Sequence, residues 1–341
     1  MVNLTEINKA VEDGLVYKTK HPTEELCIYN YSPRVQYERL WTETIKQCRG
    51  LILDGEGNVV ARPFPKFFNI EEHDEIPNLP FDVYEKLDGS LGILYWIGDT
   101  PYIATRGSFI SEQAIHATEK LREYSHIKLD RNKTYLFEII FPSNRIVVDY
   151  LGMDEIVLLT VIDNETGEES LPKIGFSRAF KYDGINDIAE LRGREDMKDR
   201  EGFVIRFSNG LRMKLKFAEY LRLHRIITQC SNLRIWEIFR DGKPLDEMLD
   251  RVPDEFYDWV KRIFSDLNTE YNVIEHDAKE AVKKCWSPDR KTFAFRVINH
   301  YNDLKGVMFK MYEQKEYRDI IMKMIRPKFS KPFKIENSNY A

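Results

Sequence analysis

Apolar and polar positions fall into two regimes along this chain, short turn-bounded runs first and helical spacing later. Up to about residue 220, apolar runs of about four to eight residues are cut by turn residues, which is the mark of strands. They predict strands over residues 50–53, 84–87, 92–97, 102–105, 134–140, 156–163, 202–207 and 211–217. Asp54-Gly55, Glu56-Gly57, Gly98-Asp99 and Ser208-Asn209-Gly210 supply the breaks, and residues 203–207 and 211–215 around Ser-Asn-Gly read as a hairpin. Helices are predicted over 111–124 and 177–180.

After Phe217 the period changes. AEYLRLHRIITQC, NLRIWEIFR, the long run from Asp254 to Cys285 and the stretches from Asp289 to Met324 place apolar residues at i, i+3, i+4 and i+7. Trp236, Phe239, Phe256, Tyr257, Trp259 and Phe264 recur at that spacing and are expected in a helical core. The last stretch, RPKFSKPFKIENSNYA, reads as extended, and its Lys328, Lys331 and Lys334 are candidates for a nucleic-acid backbone. The pattern divides the chain into a sheet-rich α+β domain, 1–220, and an all-helical domain, 221–341. No internal repeat is visible.

Composition adds limits. A 341-residue chain with 43% hydrophobic and 31% charged residues has room for two packed domains. The net charge of −5 gives no general affinity for nucleic acid, but residues 221–341 hold 23 Lys and Arg against 19 Asp and Glu, leaving 28 against 37 before them. Cys27, Cys48, Cys230 and Cys285 are scattered without a CxxC pair, and the seven histidines form no ligand pattern. Reduced thiols are expected, and neither a zinc site nor a disulfide framework. The start, MVNLTEINKAVEDGL, has no basic region before an apolar run, and no stretch reaches the length of a membrane span. The expected compartment is the cytoplasm, a host's if the source is viral, with no membrane partner.

Against this background, charges inside apolar runs stand out. Lys86 leads into Leu87-Asp88-Gly89 before an apolar run, Glu138 sits within TYLFEIIF, and Glu201 precedes Gly202 and Phe203 in REGFVIRF. Lys214 and Lys216 flank Leu215, Arg106 stands in Thr-Arg-Gly-Ser, Arg49 in QCRGLILD, and Lys66 beside Phe68 in RPFPKFFN. A buried charge is costly unless paired or bound to a ligand. One such charge is usually a salt bridge; several of both signs in one domain point to a pocket for polyanion and metal. The ordinary alternatives stay open residue by residue. Lys86 and Lys66 could be solvated, Glu138 and Glu201 strand salt bridges, Arg49 a sheet-edge charge, and Phe68 a core ring as readily as a base-stacking one.

The ordered set KLDGS, TRGSFISEQA, FEIIFPSNRIVVDY, EGFVIRF and KLK, with upstream RG and KFFN, resembles the covalent nucleotidyltransferases. Within them it is similar to the RNA ligase 1 family, typified by the enzyme of T-even bacteriophages, over residues 40–220. The resemblance implies a nucleotidyltransferase (ATP-grasp-like ligase) domain of antiparallel sheets flanked by helices, with the helical domain as an RNA-specificity module. It implies that Lys86 attacks the α-phosphate of ATP to carry AMP, made nucleophilic by burial at the start of a strand and by nearby positive charge. Asp88, Glu138 and Glu201 would hold Mg²⁺, with Mn²⁺ as a substitute. Lys214 and Lys216 would clamp the α-phosphate, while Arg49 and Lys66 orient the departing phosphates. Phe68, Gly89, Arg106 and the backbone of Glu85 and Leu87 would complete the nucleotide pocket. Arg106 departs from the family pattern, which often has lysine there. The implied substrate is RNA with 5′-phosphate and 3′-OH ends, broken tRNA among the candidates. A monomer beside an end-healing kinase–phosphatase is the expected setting. A DNA ligase or capping-type enzyme remains an alternative, for which five strands of an OB-fold would follow Lys216. A catalytically dead nucleic-acid-binding protein on the same scaffold is the other.

Overall fold

The structure, a computed structural model, describes residues 2–194, 199–249, 252 and 254–333. It separates into two compact units, Met1–Arg222 and Leu223–Ala341.

The first unit begins with α1 (Leu4–Glu12), capped by the Asn3 side chain, which accepts from the Glu6 N–H. Ile7 and Ala10 face inward from α1 onto an antiparallel sheet of β1 (Val16–Lys20), β2 (Leu26–Tyr31), β3 (Arg49–Asp54) and β4 (Val59–Ala61). Two short helices, α2 (Pro33–Glu38) and α3 (Glu43–Gln47), connect β2 to β3. The chain continues through β5 (Phe68–Asn69), β6 (Phe81–Lys86), β7 (Ser90–Ile97), β8 (Thr100–Ala104), α4 (Glu112–Glu123), β9 (Lys133–Ile140) and β10 (Glu155–Asp163). It then adds β11 (Glu169–Ser170), β12 (Lys181–Tyr182), α5 (Ile188–Arg192), β13 (Gly202–Phe207) and β14 (Arg212–Lys216). Among the described residues these strands sort into two five-stranded sheets, ordered β11-β10-β9-β7-β8 and β12-β6-β13-β14-β5. Pairing is antiparallel except between β14 and β5. Alternation explains the layering: Tyr135, Phe137 and Ile139 of β9 pack with Ala117 and Leu121 of α4, while Leu136 faces Ile28 and Ile52 of the first sheet.

The predicted strands exist, with shifted ends. The most consequential shift is at Lys86, which ends β6 rather than starting a strand; Leu87-Asp88-Gly89 then link β6 to β7. The helix predicted over 177–180 does not form. Ser177 accepts from the Leu158 N–H at 2.8 Å, Arg178 bridges Leu158, and Phe180 accepts from the Glu85 N–H at 2.8 Å. Four residues repay little of the cost of helix nucleation, and this segment laces two sheets instead. Sequence reading also passed over α1, β1 and β2, because the polar Asn30 and exposed residues of VYKTK break the apolar pattern.

In the second unit, α6 (Ala218–Gln229) crosses the division in the chain. It is followed by α7 (Asn232–Arg240), α8 (Asp246–Leu249), α9 (Asp254–Cys285), α10 (Arg290–His300), α11 (Lys305–Tyr312) and α12 (Arg318–Met324). Trp236, Phe239 and Phe256 are buried, and the Trp236 Nε1–H donates to the Met322 carbonyl at 3.0 Å. Tyr257 departs from the expected core: it is 40% exposed, one position off the inward face that Phe256 and Val260 define. Lys331 is tied through its backbone to Asn232, and Lys334 lies outside the described residues, as do residues 335–341. No helix among the described residues is long and apolar enough to cross a membrane.

One glycine sets the spacing of the third sheet. Gly202 pairs with Lys86 on one side and Lys216 on the other, and a Cβ there would stand 2.0 Å from the Leu215 carbonyl oxygen. Gly202→Ala is therefore expected to destabilise the chain by about 1–3 kcal/mol. Urea denaturation of the full chain measures this; an unchanged midpoint would mean that β13 and β14 do not approach this closely.

Candidate active site

The third sheet presents its side chains in rows. Lys86, Gly202 and Lys216 stand across from one another, and Tyr84, Val204 and Lys214 form the next row. Because Gly202 is bare, the space between Lys86 and Lys216 is open, and the neighbouring Glu201 fills it. Its two carboxylate oxygens each lie 2.7 Å from an ammonium, one from Lys86 and the other from Lys216. Glu201 is only 4% exposed, whereas the lysines are 21% and 22% exposed. Burial alone would raise the Glu201 pKa, but the two ammonium groups outweigh it and hold the carboxyl below its ordinary range.

Lys86 follows the converse logic. Burial opposes its charge, yet Glu201, Glu138 and Asp88 together raise its pKa above the ordinary lysine value. Burial alone therefore does not offset these carboxylates. In this arrangement the surrounding carboxylates favour its ammonium form, and neutralising them would ease the loss of its proton.

Around this bridge lies a pocket of about 650 Å³, within the range of small-molecule sites. Arg49, Lys66, Lys86, Arg106, Arg206, Arg212, Lys214 and Lys216 line it, against the carboxylates of Glu85, Glu138 and Glu169. Much of this positive charge is uncompensated. Arg49 Nη1 is shut off from solvent with no hydrogen-bond partner. Burial, followed by Lys66, Lys86, Lys216 and Arg49, pushes Lys214 down to about 7. Lys66 is lowered by burial and further by Arg49 and Arg106. A bound polyanion would relieve all three.

Glu138 points the opposite way. Burial pushes its pKa up to about 7; Lys86 offsets part of this and Glu201 adds to it. Its Oε1 accepts from the Gly89 N–H at 3.0 Å. Gly89 lines the pocket where β7 meets β9, and a Cβ on it would stand 2.4 Å from the Ile139 carbonyl oxygen. A carboxylate so poorly compensated fits a cation.

Asp88 does not share this position. Like Glu201, it is not among the residues lining the pocket. Its Oδ2 accepts from the Val147 and Val148 N–H groups at 2.9 and 3.0 Å, and its Oδ1 from the Tyr220 hydroxyl at 2.7 Å. Its own N–H donates to the Tyr150 hydroxyl. These partners take up both of its carboxylate oxygens and make it the anchor of the loop that follows Lys86. No group of three His, Cys, Asp or Glu placed to hold a metal occurs among the described residues.

The remaining predicted residues are placed as follows. Arg106 lines the pocket and donates from Nη1 to the Tyr31 hydroxyl at 3.1 Å. Glu85 and Leu87 line it too, but the Glu85 N–H is already given to Phe180, which removes that donor from base reading. Phe68 is not among the lining residues; its ring packs against Trp41 and His73. Tyr31, Asn30, Val204 and Tyr220 were missed from sequence. Tyr31 and Asn30 belong to the unread β2, and Tyr220 begins a helix whose apolar face hid its hydroxyl.

The RNA ligase family model matches residues 47–221, which span the pocket. A protein of Thermovibrio ammonificans named as an RNA ligase is 30% identical over 263 residues, covering 70% of this chain and 68% of its own length. A protein of Autographa californica nuclear polyhedrosis virus, named as a bifunctional polynucleotide kinase/RNA ligase, is 28% identical over 258 residues. That match covers 64% of this chain and 36% of the viral protein. Among solved structures, one named as an ATP-dependent DNA ligase from Aquifex aeolicus overlaps with a TM-score of 0.46 and 14% identity, covering 92% of this chain and all of that one.

The charge pattern makes a prediction of its own. Lys214 must be protonated to hold an anion, so affinity for inorganic pyrophosphate should fall as pH rises through about 7. Bound anion raises the Lys214 pKa, so calorimetry near pH 7.5 in buffers of different ionisation enthalpy should show proton uptake that Lys214→Met removes. A flat affinity between pH 6 and 8 would separate Lys214 from the anion. By its family match and its relatives, this chain belongs to the RNA ligase family.

Proposed function

We propose that this RNA ligase works through AMP carried on Lys86, with ATP as its source. The observation that supports this most directly is the pairing of Lys86 with Glu201 at 2.7 Å, inside a pocket where Arg49 and Lys214 lack compensating charge. A polyphosphate entering there answers the unpaired cations. Once Glu201 and Glu138 are neutralised, Lys216 and Lys214 repel the Lys86 proton, which leaves to solvent. The Lys86 Nζ then forms a bond to the α-phosphorus of ATP as the bond to the bridging oxygen breaks and pyrophosphate departs. Arg49, Lys66 and Arg106 take up the charge that develops on the leaving group. In the second step an oxygen of an RNA 5′-phosphate displaces Lys86 from the AMP phosphorus. In the third a 3′-OH attacks the 5′-phosphorus, AMP leaves, and a phosphodiester closes.

Among the residues present, Glu138 fits a divalent cation best, with Glu201 available once its lysines shift. The rest of the coordination would fall to phosphate oxygens and water, as suits Mg²⁺ or Mn²⁺. Such an ion would supply charge neutralisation at the α-phosphate and weaken the hold of the carboxylates on Lys86.

RNA ends bearing 5′-phosphate and 3′-OH are the proposed substrate, broken tRNA included. The viral relative's name joins a kinase to an RNA ligase, which supports an end-healing activity acting beside this chain. Residues 1–220 would carry the chemistry and 221–341 the choice of RNA. The DNA ligase and capping readings call for an OB-fold after Lys216; the elements described there, α6 to α12, are helices.

Incubation with α-labelled ATP and Mg²⁺ tests the reading. Label is expected on the wild-type protein and absent from Lys86→Ala, then chased to 5′-phosphorylated RNA in preference to DNA of the same sequence. Equal transfer to DNA would overturn the RNA preference, and an unlabelled wild-type protein would return the chain to a binding role.

A further inference from the structure

Lys66 stands over three rings, whereas Arg49, Arg106, Arg212, Lys214 and Lys216 each stand over one. Lys86 and Lys216 face Glu201, and Arg212 donates from Nη1 to Glu169 at 2.6 Å. Lys66 instead stands among rings, its Nζ 5.2 Å from the centre of Trp41, 5.3 Å from Phe68 and 5.6 Å from Tyr31. Its hydrogen-bond partner is neutral, Gln36 Oε1 at 3.1 Å. The rings hold one another edge to face, Tyr31 to Trp41 at 4.9 Å and Trp41 to Phe68 at 5.3 Å. The backbone beneath is fixed as well, since the Lys66 N–H donates to the Lys46 carbonyl at 2.8 Å.

The choice of rings over a carboxylate has a consequence. A carboxylate stabilises an ammonium by cancelling its charge. An aromatic face stabilises it through the ring quadrupole and leaves the full charge to act on something else. Phe68 and Trp41 are not among the residues that line the pocket, whereas Lys66 is, so those rings meet a nucleotide only through the lysine they hold.

We infer that the cage of Trp41, Tyr31 and Phe68 is a positioning device that serves the first chemical step alone, aiming an uncancelled Lys66 ammonium at the phosphates that leave as pyrophosphate. The inference rests on the lysyl–AMP reading above. Trp41 is its keystone, because its ring touches both of the others. The second and third steps contain no pyrophosphate, so the cage has nothing to act on there.

The test separates the steps. Transfer of label from α-labelled ATP to the protein is measured against ATP concentration, and sealing of chemically made pre-adenylylated RNA is measured on the same preparations. Trp41→Leu is expected to slow label transfer at low ATP about tenfold and to weaken inhibition by pyrophosphate similarly. Sealing of pre-adenylylated RNA should change less than about twofold, which also reports that the variant is folded. Trp41→Phe, which restores a ring face, should recover most of the loss. Gln36→Ala, at an exposed position, should slow label transfer about threefold with the same selectivity. Equal slowing of both reactions by Trp41→Leu would make Trp41 a packing residue and overturn the inference, as would no slowing of either. A wild-type protein that takes no label would instead remove the reading beneath it, and the inference with it.

Discussion

Glu201 holds two lysines apart and together. A carboxylate that is 4% exposed is tolerable only because ammonium groups contact both of its oxygens. That demand fixes its surroundings. The strands must bring Lys86 and Lys216 into register on either side of one residue, and that residue must lack a side chain. Gly202 meets the condition, and the close approach of β13 to β14 follows from it. The same bridge sets the chemistry, since the carboxylate that makes it affordable to bury Lys86 also keeps that amine protonated. Burial and reactivity therefore pull in opposite directions at Lys86 until other charges arrive.

The pocket sorts its cations by how each is compensated. Lys86, Lys216 and Arg212 have carboxylate partners and contribute to the fold. Arg49 and Lys214 have too little compensation, and their lowered pKa values record it. Lys66 shares their lowered pKa, with three rings about it in place of a paired carboxylate. This gradation, rather than the count of positive residues, distinguishes a receptive polyanion site from a salt-bridged cleft.

Much of this was legible in the sequence, and the exceptions share a cause. The strands carrying Lys86, Glu138, Glu201 and the lysine pair announce themselves as apolar runs, and a charge inside such a run is visible without a structure. The ends of those strands depend on which backbone groups find partners, so Lys86 fell at the finish of β6 instead of a beginning. Residues 177–180 misled because four residues cannot distinguish a helical turn from an extended lace. The anchoring bonds of Asp88 were hidden for a deeper reason. Its neighbours in sequence suggest a ligand, while its actual partners lie near residues 147 and 220, and nothing local announces them. Trp41 was equally silent, since an aromatic in a polar stretch gives no sign that it will stand over a lysine.

The Asp88 anchor has a bearing on how the chain comes to be made. Its bonds to Val147 and Val148 span 59 and 60 positions, and its bond to Tyr220 spans 132. Contacts of such separation close late, because each requires a long loop to be ordered first. On the ribosome, the loop that follows Lys86 is synthesised well before Tyr220, the residue that completes its anchorage. A partly synthesised chain therefore holds the parts of a reactive pocket without the tie that secures them. Lys86 is secured in place only when nearly the whole first unit has been made.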